Sequence, residues 1–221
     1  MIGRLALGLG LFLVPLLGGW WLHRCGRFTE RHAKSAMRFA VRWLSPIVMG
    51  LSFWRLELTD PQVIVLPVLG GVIAVSTLLP AWGYARAARL SGPETGAFLV
   101  CGVFSNQGYV GAVVAFTLFG ELAYTLSMLY LIYFSPCFYL LGFTIAKRCG
   151  HRPPPPSAQE SWGEELRFSP FLGLCVGLGL NLAGVERPAV CESINQLLIP
   201  LSTIITLGAI GPQLRFEPLG R

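Results

Sequence analysis

The densest group of polar side chains within an apolar stretch lies near position 106 of the chain. Its members are Ser105, Asn106, Gln107, Gly108, Tyr109, Val110 and Gly111. The residues on either side carry no charge over a long distance. Burying hydroxyl and amide groups costs several kcal/mol unless partners satisfy them. This group is therefore predicted to face a protein interior or a cavity.

Two roles are open for Gly108 and Gly111. If the backbone opens there, it exposes N–H groups and the N-terminus of a half-helix, which bind an anion without a charged side chain. Alternatively, Asn106 and Gln107 bond neighbouring helices while the glycines allow close packing. Packing is also the role predicted for most of three later glycines, Gly173, Gly177 and Gly179.

The composition places these residues in a membrane. Of 221 residues, 53% are hydrophobic and 13% are charged, so a soluble domain of this makeup would expose apolar surface to water. Among the stretches without any charged side chain are Thr95–Gly120, Leu122–Ala146 and Ser193–Leu214. About 20 helical residues cross a hydrocarbon core of about 30 Å, so each stretch is long enough.

We predict an all-α integral membrane protein with about seven spans. The predicted spans are Leu5–Leu22, Trp43–Trp54 with a start near Phe39, Pro61–Ala85, Thr95–Gly120, Leu122–Ala146, Phe168–Val185 and Ser193–Leu214. The first span ends in Trp20 and Trp21 rather than at a small-residue cleavage site, so it is predicted to be retained.

The basic residues predict the orientation. The connector after the first span carries six cations against Glu30: Arg24, Arg27, Arg31, Lys34, Arg38 and Arg42. Cytoplasmic connectors are enriched in lysine and arginine, so this one is predicted to be cytoplasmic. Arg86, Arg89, Lys147 and Arg148 fall on the same side. The N-terminus is then outside, the C-terminus of this chain is cytoplasmic, and the location is the inner or plasma membrane.

Two regions are predicted to lie in water on the cytoplasmic side. Residues 147–167 contain Pro153–Pro156 and several polar residues, which is typical of a flexible or extended linker. A partner that recognises proline is the alternative. The predicted organisation is a five-helix repeat over 1–146, this linker, the first two helices of a second repeat over 168–214, and a short tail over 215–221.

Two segments have a similar pattern. Leu16–Phe53 and Gly177–Gly211 each read as an apolar span, a glycine-bearing turn and a second span that opens near a proline, Pro46 or Pro200. The first connector is predicted inside and the second outside. The two hairpins therefore form a candidate inverted-topology repeat, an arrangement common in secondary transporters.

The chain resembles the auxin efflux carrier family of permeases. The run Phe104–Gly111, followed by Leu118–Glu121, resembles the N-x-G-x-x-G helix-break motif of that family, and Leu17–Phe53 is similar to its first hairpin. Two later runs resemble the start of its second half, Leu178–Gly184 and Leu207–Ala209.

This resemblance implies a ten-helix fold of two inverted five-helix repeats that moves organic anions such as auxin or malonate. Asn106, Gly108 and Gly111 would shape the broken helix at the substrate site, with Pro46 and Pro200 on neighbouring helices and Ser105 and Gln107 beside them. The chain departs from the family at Val113, where a proline is usual. It also ends after the seventh span, so either it is a fragment or a homodimer or complementing chain supplies the missing helices.

A secondary transporter of a small organic anion is the leading functional prediction. A non-transporting membrane sensor or scaffold, or an inactive truncated transporter, is the alternative. An enzyme is disfavoured because His23, His32 and His151 lie in loops or at span ends and form no catalytic group. No metal, cofactor or nucleic-acid partner is predicted; the partners are the lipid bilayer and the anion.

Overall fold

The computed structural model describes residues 2–58, 60–104, 106–150 and 169–214. Within these ranges the chain is helical and has no strand. The predicted tail 215–221 lies outside the described residues, and so does the predicted linker 147–167 from residue 151 onward.

Eleven α-helices are described. They are α1 (Ile2–Arg24), α2 (Glu30–Phe39), α3 (Ser45–Trp54), α4 (Pro61–Ala87), α5 (Gly92–Val103), α6 (Ala112–Phe119), α7 (Glu121–Tyr130), α8 (Phe134–Cys137), α9 (Phe143–Cys149), α10 (Ser169–Leu182) and α11 (Ala189–Ile210). Wider π-helical turns occupy Ala40–Leu44, Gln107–Gly111 and Phe138–Gly142, and 3₁₀ turns occupy Leu131–Tyr133 and Gly211–Gln213.

Within the described ranges, three helices are by length and composition able to cross a membrane, over Ala6–Arg24, Pro61–Ala87 and Ala189–Gln213. Pro170–Leu182 is a shorter apolar helix. The count of seven spans stays a prediction. Many large apolar side chains point away from the protein, for example Val14 (70% exposed) and Leu197 (72% exposed). Such surface suits hydrocarbon rather than water, so the chain is a membrane-embedded α-helical protein.

The described residues divide into two compact units. The first combines Met1–Leu56, Tyr109–Thr125 and Arg167–Arg221, and the second combines Glu57–Gly108 and Leu126–Leu166. The first unit thus joins helices from both predicted repeats. The boundaries predicted at residues 146 and 168 stay predictions.

Two close helix pairs build the first unit, α3 with α10 and α1 with α11. In the first pair, a Cβ added at Gly177 would overlap the carbonyl of Gly50, and one at Gly173 would overlap that of Pro46. The predicted packing role of Gly173 and Gly177 is confirmed. Gly179 has no atom within 4 Å of such a Cβ and is the one of the three without a close helix neighbour.

The second pair is held in the same way. A Cβ added at Gly19 of α1 would overlap the carbonyl of Gly208 in α11, and one at Gly211 would overlap backbone atoms of Leu16 and Trp20. Small residues let two helix backbones approach closely, and dispersion contacts then hold them in lipid. These contacts fix α1 against α11 near the ends of both helices.

The second unit is built around Tyr133. This side chain is 5% exposed and forms a buried cluster with Ala74 of α4 and Val103 of α5. Its ring fills the space beside Gly70, where a Cβ would overlap it. The end of α5 is thereby held against α4 and the 3₁₀ turn Leu131–Tyr133.

Candidate substrate-binding site

The helix that carries the polar group is interrupted. Helix α5 ends at Val103, and Phe104 is extended (φ −105°, ψ 99°). Asn106 is not helical, and helical structure resumes with the π turn Gln107–Gly111 and continues as α6. Ser105 lies outside the described residues. The interruption is present although Val113 stands where the auxin efflux carriers that the chain resembles usually have proline.

The interruption lies before the glycines and not at them. Neither Gly108 nor Gly111 is among the described glycines with positive φ, which are Gly26, Gly120 and Gly184. A Cβ added at Gly108 would lie 3.5 Å from Leu131 Cδ1, an ordinary contact. Gly108 is therefore required neither by a left-handed backbone nor by a lack of space for a side chain.

Aromatic packing holds the end of α5. The ring of Phe104 meets those of Phe134 and Phe138 edge to face, with centroids 5.3 Å apart in each case. Beyond it, the Tyr133 hydroxyl donates to Gln107 Oε1 at 3.3 Å. Asn106 is exposed. Gln107 is thus tied to its own unit, whereas Asn106 remains accessible.

Pro46 and Pro200 lie in the first unit, as does Gly111, whereas Asn106, Gln107 and Gly108 belong to the second. Pro46 lies in the first turn of α3, but Leu44 and Ser45 have helical dihedrals and α3 continues from the π turn Ala40–Leu44, so Pro46 removes one helical hydrogen bond. Pro200 lies inside α11 and removes one such bond.

Sequence reasoning missed a buried ion pair in the first unit. Glu121 at the start of α7 accepts a bond from Arg187 in the α10–α11 connector, with Nη1 and Oε1 2.5 Å apart. The side chains are 4% exposed for Arg187 and 10% for Glu121. Arg187 also donates to the carbonyl of Leu51 at 2.7 Å. The pair thereby joins the start of α7 to the end of α3.

An asparagine of α11 completes this cluster. Asn195 is fully buried and its Nδ2 donates to Glu121 Oε1 at 2.7 Å and to Ser52 Oγ at 2.9 Å. Its Oδ1 has no hydrogen-bond partner among the described residues. The hydrogen bond with Glu121 raises the pKa of Arg187, which is charged at any physiological pH. One charged network therefore links α3, α7 and α11.

The sequence carries a faint signal for this pair. Glu121 is the only charged residue of its connector, and Glu186 and Arg187 are those of the next outer turn. Isolated opposite charges on one side of a membrane are candidates for an ion pair, but the sequence does not give the distance between them.

The described residues contain no group of three or more histidine, cysteine or acidic side chains placed to hold a metal ion. All six cysteines are free. The chemistry that the site offers is hydrogen bonding from backbone and amide groups at a helix interruption.

The apolar helices, one of them interrupted, place the chain in the class of membrane-embedded α-helical proteins. Comparison with protein families identifies its family. The profile of the family described as membrane transport protein matches residues 8–154, which is more than half of the chain. The chain belongs to this family, and the resemblance to the auxin efflux carriers is confirmed. No curated protein and no solved structure matches the chain.

Proposed function

We propose that this chain is a secondary transporter of the auxin efflux carrier type that moves a small organic anion. The single observation that carries the proposal is the interruption between Val103 and Gln107 in an apolar helix. The first turn of a helical segment has N–H groups without helical acceptors and a partial positive charge. An anion at Asn106 would be bound by these groups with no cationic side chain.

The architecture that we propose for this transporter is an inverted repeat. The ends of α1 and α10 close with the same three backbone bonds, a common helix end that α4 also has, so this closure is compatible with the repeat and the helix contacts carry it. At α1 these are Cys25 to Trp21, Gly26 to His23 and Arg27 to Leu22; at α10 they are Ala183 to Gly179, Gly184 to Asn181 and Val185 to Leu180. Gly26 and Gly184 have nearly equal φ, 72° and 69°.

The helix contacts support the same repeat. Gly19 meets Gly208 between α1 and α11, and Gly177 meets Gly50 between α10 and α3. Exchanging the two hairpins turns one contact into the other. When the hairpins are superposed in this way, Gly50 corresponds to Gly208, and Pro46 lies one helical turn after the position that corresponds to Pro200. The first hairpin has one residue fewer in its connector and one residue more in its second helix. The π turn Ala40–Leu44 accommodates that additional residue.

The orientation belongs to the proposal as well. We place the basic connector after α1 in the cytoplasm and the N-terminus outside, because the cations of residues 24–42 outnumber Glu30. The connector that holds Arg187 is then external.

Flux tests the function. The full chain is reconstituted in liposomes and uptake of radiolabelled malonate or indole-3-acetate is measured under an imposed ion gradient or potential. We expect saturable uptake that Asn106→Ala lowers at least tenfold, because one lost hydrogen bond to an anion is worth about 1.5 kcal/mol or more.

The control is Ser76→Ala, whose hydroxyl bonds to the Ile73 carbonyl of its own helix. It should transport like the wild type. Binding of these anions without any flux would favour a sensor instead, and wild-type flux in Asn106→Ala would reject the placement of the site.

A further inference from the structure

A cavity in the first unit lies between α2 and the end of α11. It has a volume of about 360 Å³ and opens at the protein surface. Its lining comes from α2 and from the end of α11: Ala33, Lys34, Met37, Arg38, Ala209 and Gln213. Ligand pockets begin at about 300 Å³, so the space suits a small group.

The cavity lies at the level where two candidate spans end. The apolar stretch of α1 ends at Arg24 and that of α11 ends at Gln213. These helices are in backbone contact there, since Gly211 packs on Trp20. The cavity therefore opens where hydrocarbon gives way to lipid headgroups.

The charges of the lining are of one sign. Lys34 and Arg38 are separated by one helical turn, so both lie on the same face of α2. No acidic residue lines the cavity, and neither cation forms an ion pair within the described ranges. Gln213 adds an amide that donates hydrogen bonds. Two cations and an amide beside a space are suited to a phosphodiester.

The rest of the lining is apolar, and α2 is fixed in place. Met37, Ala33 and Ala209 form the walls, and Ala33 and Ala209 are 5% and 2% exposed. Thr29 caps the start of α2 by accepting from the His32 amide at 3.3 Å. Lys34 and Arg38 therefore lie on a helix whose start is capped, next to apolar side chains.

We infer that this cavity binds the headgroup of an anionic phospholipid, with Lys34 and Arg38 on the phosphate and Gln213 beside it. The exposed aromatic rings nearby fit the same level of the membrane, since Phe39 and Trp43 are 51% and 58% exposed. The acyl chains lie along the apolar surface next to the cavity. This site is independent of the transported anion.

Native mass spectrometry of the full chain in detergent tests the inference. The probes are dioleoyl-phosphatidylglycerol and dioleoyl-phosphatidylcholine, titrated separately. We expect one tight site for the anionic lipid and weaker binding of the zwitterionic one. Lys34→Gln/Arg38→Gln should weaken phosphatidylglycerol binding about thirtyfold, from roughly 1 kcal/mol for each cation.

Two control variants distinguish this site from general charge. Arg86→Gln/Arg89→Gln removes the same charge from another connector and should leave the affinity unchanged. Lys34→Arg/Arg38→Lys keeps the charge and should retain binding, which also shows that substitution in α2 preserves the fold.

Three results would overturn the inference: equal binding of both lipids, unchanged affinity in Lys34→Gln/Arg38→Gln, or an equal loss in the Arg86/Arg89 control. A fourth arm adds inorganic phosphate as a competitor. Displacement of the lipid by low-millimolar phosphate would point to a free-anion site and would also overturn it.

Discussion

Replacing Glu121 by alanine should destabilise the protein more than any loss of a surface charge. The substitution leaves the Arg187 guanidinium 4% exposed and without its nearest carboxylate, while Glu192 Oε2 stays 3.9 Å from Nη2. Removing one partner of a buried ion pair typically costs about 3 to 5 kcal/mol. Asn195 loses an acceptor in the same step, and its Oδ1 has no partner already. For a chain of this length the midpoint should fall by about 6 to 20 °C.

The assay is thermal unfolding of the purified chain in one detergent, followed by far-ultraviolet circular dichroism. Arg55→Ala is the matched control, because the Arg55–Glu192 pair is exposed (64% and 42%) and such pairs contribute about 1 kcal/mol or less. Glu121→Met/Arg187→Met removes both charges and should lie closer to the wild type than Glu121→Ala does. A midpoint for Glu121→Ala equal to that of Arg55→Ala would refute the reasoning.

Two further predictions concern helix packing and pH. Gly177→Leu should disrupt the α3–α10 pair, because any Cβ there overlaps the carbonyl of Gly50. Gly179→Leu is the control, since its side chain has open space. Size-exclusion chromatography in detergent should show aggregation of Gly177→Leu, and a monodisperse Gly177→Leu would contradict the contact. The Ser91 hydroxyl donates to Glu94 and lowers the pKa of that carboxyl, so its stabilisation is full above the ordinary carboxyl pKa and is lost as pH falls through the lowered value. In a plot of the unfolding midpoint temperature against pH, Ser91→Ala should flatten the slope between about pH 3 and pH 6. An unchanged plot would show that the cap is not formed.

The membrane location can be predicted from the sequence because it depends on where charged residues lie along the chain and not on distant contacts. Uncharged stretches such as Ser193–Leu214 are long enough for a bilayer whatever they pack against, and Ala189–Gln213 is one of the long apolar helices of the structure. Near Asn106 local chemistry leaves two roles open, because polar groups with glycines suit either an opened backbone or close helix packing.

The position of the interruption and the buried ion pair depend on distant contacts. The backbone opens at Phe104, which packs on Phe134 and Phe138, rather than at Gly108. Glu121 and Arg187 are 66 positions apart and meet only once the helices are packed. No local pattern specifies either contact.

If an anion binds at Asn106, water must reach the helix interruption while the apolar helices face lipid. The test is labelling of single cysteines by a charged methanethiosulfonate reagent in proteoliposomes, after the six native cysteines are replaced. We predict that Asn106→Cys reacts and that malonate protects it, whereas Val72→Cys on the exposed face of α4 does not react. An unreactive Asn106→Cys, or equal reaction at both positions, would contradict the account.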